Sequence, residues 1–337
     1  MDITVAVLTR NETANIDACL ASLVALKYTG GKFEILVVDG MSDDDTRLRA
    51  AEWANRYPQI RLVDNTKKHI AGGRNVAWRE ARFPQVAFTD ADCRVPAEWL
   101  SALAAGFTTC RRDDPQTVAV GGGNTAPAST DPFREALAIM LDSLPGSGLS
   151  PQGRSTAKVR RVESLPGLNV LYDKAAIAAV GGYDEALESM GEDLDLNLRL
   201  GASGGSLYAL PGLMVEHALR GDAVSWGKNM YGYGTGRVRV CAKHGRWFHP
   251  RIWIPAAWLL VMLATLFGSR FARRLALAYL AGVSGCAAGL VVRSGKSGLA
   301  ARVAGCFLVT HACYAAGIAA GILAHLAGHD GARQEHP

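Results

Sequence analysis

The chain has 337 residues, with 36 Lys and Arg against 31 Asp and Glu, and its formal charge of +5 excludes an acidic disordered chain and a strongly basic nucleic-acid binder. The excess is local: residues 252–337 hold seven basic side chains and two acids, Asp330 and Glu335, while the first 251 residues balance. Hydrophobic residues make up 49 % of the chain, which predicts a globular domain joined to something apolar. Seven cysteines, an odd number without a Cys-x-x-Cys pair, argue against a disulfide framework or a structural zinc site and point to a reducing compartment. The opening run Ile3 to Leu8 is too short and too lightly flanked for a secretory signal, so the first domain is expected in the cytosol.

From residue 1 to about 220, short Val- and Ile-rich runs alternate with amphipathic stretches, the pattern of an α/β fold with a mainly parallel, Rossmann-like sheet. Strands are expected at Ile3 to Leu8, Phe33 to Val38, Ile60 to Val63, Val86 to Thr89 and Val118 to Gly121, with helices near Asn15 to Ala25, Asp45 to Tyr57, Gly73 to Ala81 and Glu98 to Thr108. Runs such as Ile35-Leu36-Val37-Val38 are apolar throughout, as strands covered on both faces must be. Leu144 to Arg161 is rich in Gly, Ser and Pro and reads either as a flap over a ligand or as a plain insertion.

The character then changes. Residues 221–251 mix aromatics with cations, Arg237 and Arg239 among them, which suits a basic amphipathic segment on a membrane surface, near anionic headgroups or a lipid diphosphate; an ordinary amphipathic connector is the alternative. Residues 252–328 hold three nearly uncharged stretches, Ile252 to Gly268, Leu275 to Val292 and Val303 to Gly328. Two to three transmembrane or re-entrant helices are expected there, because about 20 apolar residues cross the hydrocarbon. Gly285-x-x-x-Gly289 and Gly317-x-x-x-Gly321 would let the second and third stretches approach closely, and residues 329–337 form a polar tail.

Ligands of open α/β sheets bind beyond the carboxyl ends of the strands, and polar residues cluster at three such ends. Thr9-Arg10-Asn11-Glu12 closes the first strand. Asp39 ends the second and can accept from a ring N–H or a ribose hydroxyl, while Asp43, Asp44 and Asp45 read as caps of the next helix. Asp90-Ala91-Asp92 ends the fourth, where two carboxylates can share a hard cation, Mg2+ or Mn2+. Arg74 could meet a diphosphate or be a helix-surface charge. Glu192 and Asp193 lie in the first turn of a helix, where the dipole favours acids even without a function.

Taken in order, Thr9 to Glu12, Val38-Asp39-Gly40, Gly73-Arg74-Asn75, Asp90-Ala91-Asp92, Gly181 to Glu185 and Gly191-Glu192-Asp193 resemble glycosyltransferase family 2 over about residues 1 to 240. The resemblance implies a GT-A nucleotide-sugar transferase fold over 1–220 and an inverting transfer from a nucleotide diphosphate sugar. It implies that Thr9, Asn11, Glu12, Asp39, Arg74 and Asp90 bind the donor, with Asp39 at the base. Asp90 and Asp92 then flank the metal and diphosphate, Asp193 is the catalytic base, and His217 is a further metal or diphosphate contact. Glu192, Arg237 and Arg239 are candidates for the acceptor or a diphosphate. Processive members of the family carry Gln-x-x-Arg-Trp; here the nearest match is Lys243-His244-Gly245-Arg246-Trp247, which favours transfer of one sugar or a few. The order of segments is similar to succinoglycan-type exopolysaccharide glucosyltransferases.

That resemblance implies a cytosolic catalytic domain on a bacterial-type plasma membrane. It would use a UDP-sugar and extend a polyprenyl-linked oligosaccharide, in company with other polysaccharide-assembly proteins and without nucleic acid. A polyprenyl-phosphate glycosyltransferase and a catalytically silent nucleotide-sugar-binding scaffold are the alternatives. A dinucleotide oxidoreductase is disfavoured, because no Gly-x-Gly-x-x-Gly follows the first strand.

Overall fold

The computed structural model describes residues 1–147, 157–247 and 250–328, and the chain divides into two compact units. The first comprises Met1–Thr125 and Pro151–Ala218; the second comprises Ala126–Ser150 and Leu219–Pro337. The stretch after residue 125 therefore belongs with the C-terminal helices and not with the sheet. Residues 148–156 of the expected loop and the 329–337 tail lie outside the described residues.

The first unit begins with β1 (Ile3–Thr9), α1 (Ile16–Val24), β2 (Phe33–Asp39), α2 (Thr46–Arg56), β3 (Ile60–Asp64), α3 (Ile70–Glu80) and β4 (Gln85–Asp90). Continuing along the chain, β5 (Cys93–Arg94), α4 (Trp99–Asp113) and β6 (Thr117–Thr125) follow, and α5 (Pro132–Leu141) lies in the second unit. The chain returns to the first unit with β7 (Arg160–Val162), β8 (Val170–Asp173), α6 (Lys174–Ala179), α7 (Glu192–Ala202) and β9 (Ser206–His217).

The strands form one mixed, mostly parallel sheet in the order β3-β2-β1-β4-β8-β6-β9-β5, with β7 on β9. Its long ladders, β1 with β2 and β4, β2 with β3 and β6 with β9, are parallel. Side chains alternate across a strand. Ile3, Val5 and Val7 of β1 therefore pack on one face with Ile16, Leu20, Trp99 and Phe107, while Ala6 and Leu8 pack on the other with Ala71, Ala77, Ile177 and Leu196.

The four expected helices form. The one expected from Gly73 starts at Ile70, because His69 caps it through Nδ1, which accepts from the Gly72 N–H at 3.0 Å. β7, β8 and β9 lie beyond the strands expected from the sequence. β9 carries Pro211 and Gly212 inside it, and its ladder with β6 shifts register between Gly121 and Gly123. A Cβ at Gly122 would strike the Leu213 carbonyl, so the two backbones meet there only because that position is glycine.

The second unit adds α8 (Ala223–Lys243), α9 (Pro250–Leu266), α10 (Arg270–Arg293) and α11 (Ala300–Leu326). Arg270–Arg293 and Ser297–Leu326 are long and apolar enough to cross a membrane, and Pro250–Leu266 is shorter. Residues 223–243 form one helix, whose Trp226 Nε1 donates to Thr310 Oγ1 of α11 at 2.8 Å. Gly317 and Gly321 serve this α8 contact: a Cβ at Gly317 would strike the Tyr231 carbonyl, and one at Gly321 would stand 2.9 Å from Val238 Cβ. Among the described residues nothing lies within 4 Å of such a Cβ at Gly285 or Gly289, and the close approach at Gly317 and Gly321 is made by α8 to α11. Arg237 and Arg239 lie on α8.

Candidate active site

The carboxyl ends of β1, β2 and β4 lie side by side, because Thr9 pairs with Asp39 and Leu8 with Asp90 across parallel ladders. Every N-terminal candidate therefore collects at one rim of the sheet. Thr9 is buried, and its Oγ1 has no hydrogen-bond partner among the described residues. Asn11 stands at φ 56°, in the left-handed region Asn tolerates, and its Oδ1 accepts from the Asp43 N–H at 2.8 Å. The Glu12 N–H donates to Thr46 Oγ1 at 2.7 Å, and its Oε2 accepts from Asn15 Nδ2 at 2.6 Å.

Asp39 has no exposed surface. Its carboxylate accepts from the Ser42 N–H at 3.1 Å and Ser42 Oγ at 2.6 Å, and Arg47 approaches it at 3.5 Å. Of the three acids after it, Asp44 braces the turn, accepting from the Thr46 N–H at 3.0 Å and the Thr13 N–H at 3.3 Å. Burial would raise its carboxyl, but hydrogen bonds from the side chains and then the backbones of Thr13 and Thr46 outweigh that and hold it down at about 2.

The structure brings Asp90, Arg74, Glu192 and Asp193 together around a single guanidinium. Arg74, a candidate for the diphosphate, is 3 % exposed and lies among buried groups. Nη1 donates to the Gly167 carbonyl at 2.7 Å, Nη2 lies 3.5 Å from Asp90 Oδ1, and Nε lies 3.4 Å from Glu192 Oε1. The rings of Phe88 and Tyr183 stand 5.3 and 5.9 Å from its Cζ. Asp193 Oδ2 accepts from the Gly167 N–H at 3.2 Å, and its Oδ1 accepts from the Leu194 N–H at 2.6 Å.

These charges act on one another. Burial raises the Asp90 carboxyl, Arg74 pulls it back, and the net shift is upward. Burial and then the Asp193 charge raise Glu192 to about 7, against the pull of Arg74. Burial disfavours the Arg74 cation, but Asp90, Tyr183, Glu192 and Asp193 overcome it and raise its pKa, so the guanidinium stays charged.

Asp92 lies beside a second cluster. His217, at the end of β9, pairs with Cys93 of β5, which sets its Nε2 3.2 Å from Asp92 Oδ2. Ligand atoms of Asp92, Cys93 and His217 lie within 4.8 Å of one another. The Asp92 carboxylate suits Mg2+ or Mn2+, while an imidazole such as that of His217 binds later first-row metals more readily. Cys93 fits less well: its thiol is buried, and burial, then Asp90 and Asp92, push its pKa upward.

Three residues here were not singled out from the sequence. Gly167 carries the main-chain contacts to both Arg74 and Asp193, and only the Pro166-Gly167 turn signal marks it. Asn124 Nδ2 stands 3.2 Å from His217 Nδ1 and fixes the ring. Tyr183 sits in the quoted Gly181 to Glu185 motif, held by Asn75, whose Oδ1 accepts from the Tyr183 N–H at 2.8 Å and whose Nδ2 donates to the Tyr183 carbonyl at 2.8 Å.

Comparison with known proteins finds likenesses in sequence and in fold. The model for "Glycosyl transferase family 2" matches residues 4–138. The succinoglycan biosynthesis protein ExoA of Rhizobium meliloti is 29 % identical over 236 residues, 69 % of this chain and 68 % of the relative. Glycosyltransferase AglE of Haloferax volcanii is 27 % identical over 254 residues, 74 % of this chain and 77 % of that one. Among solved structures, a mannosyltransferase from Pyrobaculum calidifontis in complex with GDP-Man and Mn2+ superimposes with a TM-score of 0.58 at 19 % identity, covering 91 % of this chain and 86 % of the other.

Proposed function

Because residues 4–138 are a glycosyltransferase family 2 domain and the chain is a GT-A glycosyltransferase, we propose that it moves one sugar, or a few, from a UDP-sugar onto a lipid-linked oligosaccharide, with inversion. The observation that carries this reading is the convergence of Asp90 from β4 and the Glu192–Asp193 pair from α7 on Arg74.

Asp193 is the base in this reading. Its carboxylate is oriented by two backbone N–H groups, and it takes the proton of the acceptor hydroxyl as that oxygen attacks the anomeric carbon. A single displacement needs one base and no covalent nucleophile. Asp92 and His217 would hold Mg2+ or Mn2+, whose charge would offset the negative charge growing on the leaving diphosphate. The Pyrobaculum structure with GDP-Man and Mn2+ supports a nucleotide-sugar donor and a divalent cation. Thr9, Asn11 and Glu12 line the rim at the end of β1, where the donor would lie, and the buried Asp39 shapes the turn beneath its base.

In this reading the acceptor is lipid-linked and the catalytic unit faces the cytoplasm: α10 and α11, long and apolar enough to cross a membrane, support membrane attachment, and the likeness to a succinoglycan biosynthesis protein supports a glycan product. Arg237 and Arg239 of α8 are then candidates for a lipid diphosphate.

The test is a donor screen with the full chain in detergent. It follows nucleoside diphosphate release with no acceptor, with a polyprenyl phosphate and with a polyprenyl diphosphate oligosaccharide. Release accelerated by the last supports the proposal; activity with the bare phosphate alone makes the protein a polyprenyl-phosphate glycosyltransferase, and no release from any donor defeats the enzymatic reading.

A further inference from the structure

Arg74 is buried, yet the reaction needs cations near the leaving diphosphate, and its surroundings explain what the charge does instead. Its three nitrogens point three ways: Nη1 to the Gly167 carbonyl, Nη2 to Asp90 and Nε to Glu192. The peptide it grips at Gly167 is the one whose N–H holds Asp193 Oδ2. A chain of contacts therefore runs from Asp90 through the guanidinium and the Gly167 peptide to the base. The rings of Phe88 and Tyr183 flank the guanidinium and restrict its movement.

A buried ion pair is weak evidence of stability, because an apolar side chain of similar volume often packs as well. What an apolar side chain lacks is direction, and a planar guanidinium fixes donors in a rigid fork. Gly167 carries the same message: a Cβ there would lie 2.7 Å from Arg74 Cζ, so only glycine lets the guanidinium reach the peptide.

We propose that Arg74 is a positioning residue that spans the site, setting the distance between Asp90 on the donor side and Asp193 on the acceptor side without touching the sugar nucleotide. The proposal rests on the reading of Asp193 as base. Arg74 departs here from its expected place at the diphosphate: it acts on the geometry of the acids, and through them on the rate. The titratable groups facing it are Asp90 of β4, Tyr183, and Glu192 and Asp193 of α7, with Asp92 and His217 behind Asp90.

The experiment uses the full chain in detergent with three variants, Arg74→Met, Gly167→Ala and the double variant Arg74→Met/Glu192→Gln. Four quantities are measured: kcat and KM for transfer, the dissociation constant of UDP with Mn2+ by calorimetry, and the melting temperature. A displacement of a reacting group by about 1 Å costs on the order of a hundredfold in rate. Arg74→Met and Gly167→Ala are therefore expected to lower kcat by about that factor, with the UDP dissociation constant within about threefold of wild type. Without the cation, Asp90, Glu192 and Asp193 repel one another, so adding Glu192→Gln should restore part of the lost rate.

At one fixed pH, Arg74→Met should lower the melting temperature, because removing one partner leaves the buried carboxyls around it uncompensated, and adding Glu192→Gln should recover part of that deficit. A UDP dissociation constant that rises in step with the loss of kcat would make Arg74 a diphosphate ligand and overturn the proposal. So would an unchanged kcat, no recovery in the double variant, or a melting temperature equal to that of wild type. Should wild type release no UDP from any donor, the functional reading falls, while the melting curves still decide whether Arg74 ties these acids together.

Discussion

His217 Nε2 lies 3.2 Å from Asp92 Oδ2, and Asn124 approaches the other ring nitrogen at the same distance. The pairing of β5 with β9 places Asp92 and His217, and Asn124, on β6, sets the ring's angle. A partner behind a metal ligand typically contributes about 10–100-fold to metal affinity or activity. Asn124→Ala is therefore expected to raise the Mn2+ concentration for half-maximal activity by about that factor, and Asp92→Ala to raise it further while also weakening UDP binding. A metal titration that overlays wild type would remove His217 from the cation site.

Asp193→Asn separates binding from chemistry. The amide keeps the side chain's shape and one oxygen to accept a backbone N–H, but it cannot take a proton. A positioned base contributes about 10²–10⁴-fold. Transfer should fall by that order with the UDP dissociation constant close to wild type, because a group acting only in the transition state affects kcat and not ground-state binding. Turnover at the wild-type rate would show that Asp193 is not the base.

Much of this site was legible in the sequence because its parts follow apolar strands. β1, β2 and β4 announce themselves as uncharged Val- and Ile-rich runs, and the residues just past them must emerge at one rim once the strands are parallel and adjacent. The short β7 and β8 give too few residues for a periodic signal, and Pro211-Gly212 disguises β9 as a loop. The surroundings of Arg74 were hidden for a different reason. Glu192 and Gly167 lie about a hundred residues away in sequence, so nothing local distinguishes its charge from one on a helix surface. The seven cysteines, expected reduced, are all free.

Glu192 should make stability depend on pH. Its carboxyl is raised by burial and by Asp193 to about 7, well above the ordinary glutamate value. A carboxyl raised on folding binds more protons folded than unfolded, so stability falls as pH rises from the unfolded pKa through the folded one, and the loss is complete above about 7. Glu192→Gln removes the titration and should melt increasingly above wild type as pH rises from about 5 to about 8, by an amount on the order of a few kcal/mol. Parallel melting curves across that range would mean that Glu192 is ionised in the folded protein without penalty.

Gly317 and Gly285 occupy matching motifs on α11 and α10 and should respond differently to enlargement. A side chain at Gly317 meets the Tyr231 carbonyl, backbone that cannot turn aside, so Gly317→Leu must push α8 away from α11 and strain the nearby hydrogen bond from Trp226 to Thr310. Overpacking of this kind typically costs about 1–3 kcal/mol. A Cβ at Gly285 meets nothing within 4 Å, and leucine favours a helix over glycine by close to 1 kcal/mol, so Gly285→Leu should be neutral or slightly stabilising. Melting both variants in detergent tests the pairing directly: equal losses at the two positions would mean that α10, and not α8, is the helix that the small residues of α11 admit.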